Sequence, residues 1–257
     1  MKFRFVVSAA LLAAALLTGA TMASADPIQV VNTRPVTVGP PASGEASLQS
    51  ILDGMFGVGV VNAATDQQGP GMWAVASNPP VISPTLVVEW AGNAGSNTFG
   101  IWFGTDTTSL TLVPIFLPAA QGTTLTGVAT LAWSGGLLFV GAPFGGCGTT
   151  INCTPSGIAG TNPLSFGFYI DGPGGTWFTV DQLNGAAGVQ ALAYGSPTAT
   201  DTFAIAFEDL ANGDNDYNDM VVKVESITPV PEPGTLALFG TGLIGIAGLV
   251  RRKLGAK

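Results

Sequence analysis

The 257-residue chain contains 36 Gly and 18 Pro, has eight basic and sixteen acidic side chains, and has no His. The absence of His excludes Ser-His-Asp and Cys-His catalytic sites and every metal site with a His ligand. The high Gly content disfavours a helical protein, because Gly destabilises helix interiors.

Charge is distributed unevenly along the chain. Six of the eight basic residues lie at the two ends, whereas the segment from Asp26 to Pro229 holds two basic and fifteen acidic residues, a formal charge of −13. Nucleic-acid binding depends on neutralising phosphates with Lys and Arg, so this composition excludes it. An acidic body favours cations as partners.

The N-terminus has the pattern of a secretory signal peptide. Basic Lys2 and Arg4 precede an apolar run from Val6 to Ala20, and small residues at Ala23 and Ala25 fit a cleavage site. We therefore expect residues 1–25 to form a signal helix that is removed on export.

An extended leader and one short helix are expected next. Residues 26–46 contain four Pro and almost no aromatic residues, which is typical of an extended leader. The segment from Ser47 to Asp53 has apolar residues at helical spacing, and Ser47 is a suitable N-cap.

Short β-strands follow up to about residue 229. They are rich in β-branched and aromatic residues and are separated by Gly, Pro, Asn and Asp turns, a pattern typical of sandwiches and barrels. We predict an all-β domain over 47–229, an antiparallel β-sandwich of jelly-roll type. Its strands are expected at 85–90, 98–103, 109–117, 129–133, 137–140, 164–170, 176–180, 189–194, 202–208 and 220–226.

Cys147 and Cys153 enclose five residues. In an exported protein such a pair usually forms a disulfide, so we predict a structural Cys147–Cys153 bridge. A redox or metal-thiolate site is the alternative, but it favours a Cys-x-x-Cys spacing.

Acidic residues concentrate between the last two predicted long strands. Six of the sixteen lie within residues 208–225. Such a density requires a cation, protonation or full solvation, and hard oxygen ligands favour calcium. The predicted calcium ligands are Asp209, Asp214, Asp216, Asn218 and Asp219.

Two other interpretations of this stretch need comparison. Asp214, Asp216 and Asn218 have the spacing of an EF-hand loop, and Glu225 falls at its twelfth position. Asp219 replaces the required Gly and a strand is expected to follow, so the stretch is not an EF-hand. An acidic turn that binds its own backbone is the alternative without a metal.

The same stretch resembles a domain of unknown function of bacterial surface proteins. The resemblance rests on the Phe-Glu-Asp-Leu run that starts at Phe207 and on Asp214-x-Asp-Tyr-Asn-Asp219. It implies a β-rich secreted module that binds cations and has no established reaction.

The C-terminus, residues 230–257, resembles a PEP-CTERM sorting signal. The run Pro231-Glu232-Pro233 precedes an apolar stretch from Leu236 to Val250, expected to be a transmembrane helix, and then a basic cluster of Arg251, Arg252 and Lys253. The resemblance implies a Gram-negative host that makes exopolysaccharide. It also implies recognition by an exosortase, transient anchoring in the inner membrane, and display at the cell surface or release.

These features predict a non-enzymatic surface or biofilm-matrix protein, stabilised by calcium and associated with exopolysaccharide. A carbohydrate-binding module is the first alternative, since five Trp are available to stack on sugars, although Trp more often fills a sandwich core. A glycan hydrolase is the second, with Glu208 or Asp209 as a candidate carboxylate and Glu89, Asp181 or Asp201 as its partner.

Overall fold

The computed structural model describes residues 28, 32–69, 71–78, 80–89, 95–118, 128–134, 137–141, 158–159 and 163–230. Three sequence predictions lie outside these residues. They are the signal peptide at 1–25, the Cys147–Cys153 disulfide, and the sorting signal at 231–257 with its apolar helix at 236–250.

The structure is mostly β, as predicted, with a single α-helix and one 3₁₀ helix among the described residues. Helix α1 spans Leu48–Phe56 and the 3₁₀ helix spans Asp181–Ala187. The strands are β1 Trp73–Val75, β2 Val81–Glu89, β3 Thr98–Phe103, β4 Thr111–Phe116, β5 Thr130–Ser134, β6 Leu137–Gly141, β7 Ile158–Ala159, β8 Gly167–Gly172, β9 Gly175–Phe178, β10 Ala191–Gly195, β11 Phe203–Phe207, β12 Met220–Glu225 and β13 Ile227–Pro229.

The strands form two main antiparallel sheets. The larger has the order β10-β11-β12-β2-β5-β6-β7, the smaller has the order β4-β3-β8-β9, and β1 pairs with β13 as a separate ribbon. Every strand pair in the described residues is antiparallel. The jelly-roll connectivity is a finer prediction that this strand order does not establish.

An aromatic core joins the two sheets. Phe99 of the smaller sheet lies 6.1 Å from Phe207 of the larger, centroid to centroid, and Trp133 stacks 5.8 Å from Phe166. Trp73 and Trp133 are buried in this core, as expected for Trp in a sandwich. Trp102 is also buried, but it packs with Phe178 in a separate cluster.

Helix α1 covers the outer face of the larger sheet. Ser47 caps it by accepting a hydrogen bond from the Ser50 N–H at 3.2 Å, and the buried Leu48 and Leu52 pack in one cluster with Ala204 and Ala206 of β11. The predicted helix is therefore present, and it runs three residues beyond Asp53. Among the residues that the structure describes, no helix has both the length and the apolar character needed to cross a bilayer.

The N-terminal segment 32–46 is irregular but packs on the body. Arg34 donates two hydrogen bonds to the Asp181 carboxylate, at 2.8 and 3.0 Å, and a third to the Ala191 carbonyl. The backbone of Val36 exchanges two 2.8 Å hydrogen bonds with the Gln67 side chain. This segment therefore forms part of the covering layer beside α1.

Replacing Arg34 with Met should lower the free energy of unfolding by about 3 kcal/mol, because it leaves the Asp181 carboxylate buried without its partner. The Arg34 and Asp181 side chains are only 5% and 16% exposed. Urea denaturation of the purified chain measures the change.

The Lys223–Glu225 ion pair supplies the matched control, since its side chains are 35% and 48% exposed. Lys223→Met should cost less than about 1 kcal/mol, as is usual for exposed pairs. Equal losses in the two variants would contradict a docked N-terminal segment.

Candidate metal centre

The acidic stretch forms the loop that joins β11 to β12. These strands are adjacent and antiparallel, and Phe207 pairs with Met220, so the loop spans residues 208–219. Alternation along β11 sends Phe207 into the core between the sheets and Ala206 toward α1. Glu208 and Asp209 directly follow the last residue of this strand.

The loop folds back on its own first residue. Asn215 and Tyr217 adopt positive φ values of 59° and 53°, a conformation that is rare for a residue as bulky as Tyr. Tyr217 is held there by burial and by a hydrogen bond from its hydroxyl to the Val189 carbonyl at 3.3 Å. Gly213 lies against Glu208, and a Cβ at this position would collide with Oε1 of Glu208.

Folding back brings three carboxylates together on the side of the N-terminal segment. One oxygen each from Glu208, Asp214 and Asp216 lie within 4.8 Å of one another. Glu208 is 2% exposed and Asp216 is 1% exposed. Oε2 of Glu208 and Oδ2 of Asp216 are buried without a hydrogen-bond partner, an expensive state for a polar atom.

Glu208 also belongs to a second group of three, with Asp209 and Asp219, again with oxygens within 4.8 Å. Oδ2 of Asp219 accepts the Asp209 N–H at 2.9 Å, and Asn97 donates to Oδ2 of Asp209 at 3.0 Å. The Trp177 indole donates to the Asp209 carbonyl at 2.8 Å. Side chains in and next to the smaller sheet therefore position this group.

Asn218 connects the loop to the start of α1. It is fully buried, and its amide nitrogen donates to the Ala46 carbonyl at 2.9 Å and to Oε2 of Glu45 at 3.4 Å. Its Oδ1 has no hydrogen-bond partner. Asn218 thus positions the loop, and it belongs to neither group of three carboxylates.

Electrostatic repulsion is the main energetic feature of this loop. Two carboxylates 4.8 Å apart repel by about 3.5 kcal/mol at an effective dielectric constant of 20. Burial, and then the charge of Asp214, raise the pKa of Glu208 to about 7. Burial and the charge of Asp209 raise the pKa of Asp219 to about 8, and burial also raises the pKa of Asp216.

Basic side chains do not relieve this repulsion in the part of the chain that the structure describes. Arg34 is paired with Asp181 and Lys223 with Glu225, and these are the two basic residues of the body. Protons or an external cation must therefore neutralise the loop. The ligand set is all oxygen, which suits calcium.

The EF-hand interpretation is excluded by the position of Glu225. This residue ends β12, opposite Ser83, and its carboxylate binds Lys223. Strand β12 runs away from the loop, and Glu225 lies five residues beyond Met220, too far along it to reach the loop. An EF-hand loop is followed by a helix, whereas this loop is followed by a strand.

The predicted ligand set omitted Glu208, the residue common to both groups. One signal was available, because Glu208 directly follows a strand that is buried along its whole length. No sequence signal pointed to Asn97, which lies 112 positions before Asp209. The five predicted ligands all lie in the loop. The four Asp residues belong to the two carboxylate groups, and Asn218 as a ligand stays a prediction.

The alternative functions find little support in these positions. Glycoside hydrolysis needs carboxylates that a sugar can reach, whereas Glu208 and Asp216 are almost fully buried. Asp181 is engaged by Arg34. The large exposed hydrophobic residues of the described segments are all aliphatic, so those segments present no exposed aromatic platform for sugar stacking.

Two family models match this chain. Residues 229–253 match the PEP-CTERM protein-sorting motif, and residues 153–227 match DUF4114, a domain of unknown function. No curated protein and no solved structure matches the chain. The sorting motif implies an exported protein that is membrane-anchored before processing and is recognised by an exosortase.

The metal-free protein should lose stability as the pH rises from about 4 to about 8. The pKa values of Glu208 and Asp219 rise on folding from 4.5 and 3.8 to about 7 and about 8, so the folded state holds more protons than the unfolded state in this window. Cations displace these protons, so calcium should stabilise more at about pH 8 than at about pH 5.

Thermal unfolding in calcium and in chelator, at both pH values, checks this expectation. Glu225→Gln is the control, because it removes one negative charge at the far end of β12 without touching either carboxylate group. A calcium shift of equal size at both pH values would contradict the protonation of the empty site.

Proposed function

We propose that this chain, which carries a C-terminal PEP-CTERM sorting motif and a DUF4114 domain, is a non-enzymatic surface or extracellular-matrix protein whose β-sandwich body is stabilised by calcium. Export and exosortase recognition follow from the sorting motif. The role of calcium and the absence of catalysis are the new parts of the proposal.

One observation carries the calcium assignment. Oε2 of Glu208 and Oδ2 of Asp216 are buried, lack hydrogen-bond donors, and belong to carboxylates whose oxygens lie within 4.8 Å of each other. A bound cation would supply the missing partner for both atoms. Calcium accepts six to eight oxygen ligands in flexible geometry, whereas magnesium demands a near-ideal octahedron and keeps several waters.

Burial of the carboxylates supports a structural role for the ion. A catalytic metal keeps an open coordination position that substrate can reach. Here the N-terminal segment covers the loop, with the Gly39 N–H donating to the Asn215 carbonyl at 2.7 Å and Asn218 bound to Ala46. The ion would hold the loop, the N-terminal segment and α1 together.

The expected location is the surface of a Gram-negative cell or its exopolysaccharide matrix. The sorting motif supports passage through the inner membrane to an exosortase. A body with a formal charge of −13 supports solubility and cation exchange in such a matrix. Association with exopolysaccharide rests on this chemistry and on the sorting motif alone.

Calcium at about a hundred times its Kd should stabilise the folded body by about 2.7 kcal/mol. For a domain of this size that corresponds to a rise in Tm of about 5–10 °C. Differential scanning calorimetry of the purified full-length chain, with calcium and with chelator, measures the shift.

Asp216→Asn should reduce the calcium shift while leaving the metal-free Tm unchanged or higher, because it removes one ligand and one repelling charge. Glu225→Gln should keep the full shift. A wild-type chain whose Tm is the same in calcium and chelator would contradict the calcium proposal, and a full shift in Asp216→Asn would contradict this ligand set.

The surface form should lack the apolar stretch and basic cluster that follow Pro231-Glu232-Pro233. In a host with an exosortase, mass spectrometry of the surface protein should find no peptide from Leu236 to Lys257. Replacing Glu232 and Pro233 with Ala should retain these residues and leave the protein in the membrane.

Glu225→Gln, just before the motif, is the processing control and should behave as wild type. Recovery of the intact C-terminus from the wild-type surface protein would contradict sorting by cleavage.

A further inference from the structure

We propose that the β11–β12 loop binds two cations, which share the carboxylate of Glu208. This inference rests on the calcium-binding function proposed above and specifies its stoichiometry and geometry. It assigns Glu208 as a bridging ligand between a site formed with Asp214 and Asp216 and a site formed with Asp209 and Asp219.

The two groups of carboxylates have only Glu208 in common. Each group of three has its oxygens within 4.8 Å of one another. Oxygens that bind one calcium at 2.3–2.6 Å can be at most about 5 Å apart, so each group fits one ion. The four Asp residues of the two groups therefore divide into two pairs around the single Glu.

Different parts of the fold hold the two groups. The Asp214–Asp216 group faces the N-terminal segment, where Gly39 and Ala46 bind the loop. The Asp209–Asp219 group is held from the smaller sheet by Asn97 and Trp177. Glu208, which belongs to both groups, therefore lies between them.

Glu208 has the features expected of a bridging ligand. It is 2% exposed, and its Oε2 has no hydrogen-bond partner. Its other oxygen, Oε1, lies close to Gly213, where only a residue without a side chain leaves it room. A carboxylate has two oxygens, each able to bind a separate ion.

The charge of the loop also favours two ions. Glu208 and the four Asp residues carry five negative charges when ionised, and the two basic residues of the body are paired elsewhere. One divalent ion would leave three charges unneutralised, although Glu208, Asp209 and Asp216 are buried. Two ions would leave one, which a partly exposed loop can solvate.

Calcium titration of the full-length chain by isothermal calorimetry, with metal analysis of the dialysed protein, tests the stoichiometry. The wild type should bind two equivalents. Asp214→Asn and Asp219→Asn should each bind one, and Glu208→Gln should bind neither ion tightly. Glu225→Gln is the matched control and should bind two.

Terbium luminescence excited through Trp distinguishes the two sites. Because Trp177 donates to the Asp209 carbonyl, an ion beside Asp209 and Asp219 should be sensitised by this indole. Asp219→Asn and Trp177→Phe should each lose at least half of the emission. Asp214→Asn, which alters an exposed residue, should keep most of it.

The outcomes separate this inference from the proposed function. One equivalent in the wild type would overturn the shared-Glu208 site while leaving calcium binding intact. No binding at all would overturn both. Two equivalents that survive Glu208→Gln in a folded protein, as judged by near-ultraviolet circular dichroism, would overturn the bridging role.

Discussion

Burial of β11 on both faces is the constraint on which the acidic loop depends. Phe207 packs against Phe99 of the opposite sheet, and Ala204 and Ala206 lie under α1. Only a small side chain on the second face lets the helix approach this closely. The residue that follows β11, Glu208, is therefore buried like the strand itself, at the first position of the loop.

The site is completed by residues that are distant in sequence. The DUF4114 match covers 153–227, which includes the whole β11–β12 loop. Asn97, Gly39 and Ala46, which bind the loop directly, all lie before this region. The N-terminal segment and α1 thus belong to the same structural unit as the matched domain, and their docking and the geometry of the carboxylates depend on each other.

The regular part of the fold follows closely from local sequence pattern. Each of the ten predicted strands has a counterpart, because each combines β-branched or aromatic residues with flanking turns. The unpredicted strands β1, β7 and β13 have only two or three residues, too few for a periodic pattern to show. Their pairing depends on neighbours brought in by the tertiary fold.

The site was less predictable than the strands. The number of acidic residues between 208 and 225 identified the loop. It could not show which carboxylates lie close enough to share an ion. That depends on the positive φ of Asn215 and Tyr217, and on the space left by Gly213, which turn the chain back toward Glu208. Within the Asp-Tyr-Asn-Asp run, Tyr217 and Asn218 are buried and bind Val189 and Ala46, so they also fix the shape of the loop.

The last strand has a consequence for how the protein is displayed. Strand β13 pairs with β1 up to Pro229, and the Val230 N–H still donates to the Met72 carbonyl at 3.0 Å. The sorting motif begins at residue 229, so the folded body reaches the motif without an intervening spacer. An exosortase would then work directly beneath a folded domain. A product attached at this point would stand close to its anchor, with the β1–β13 ribbon turned toward the surface that carries it.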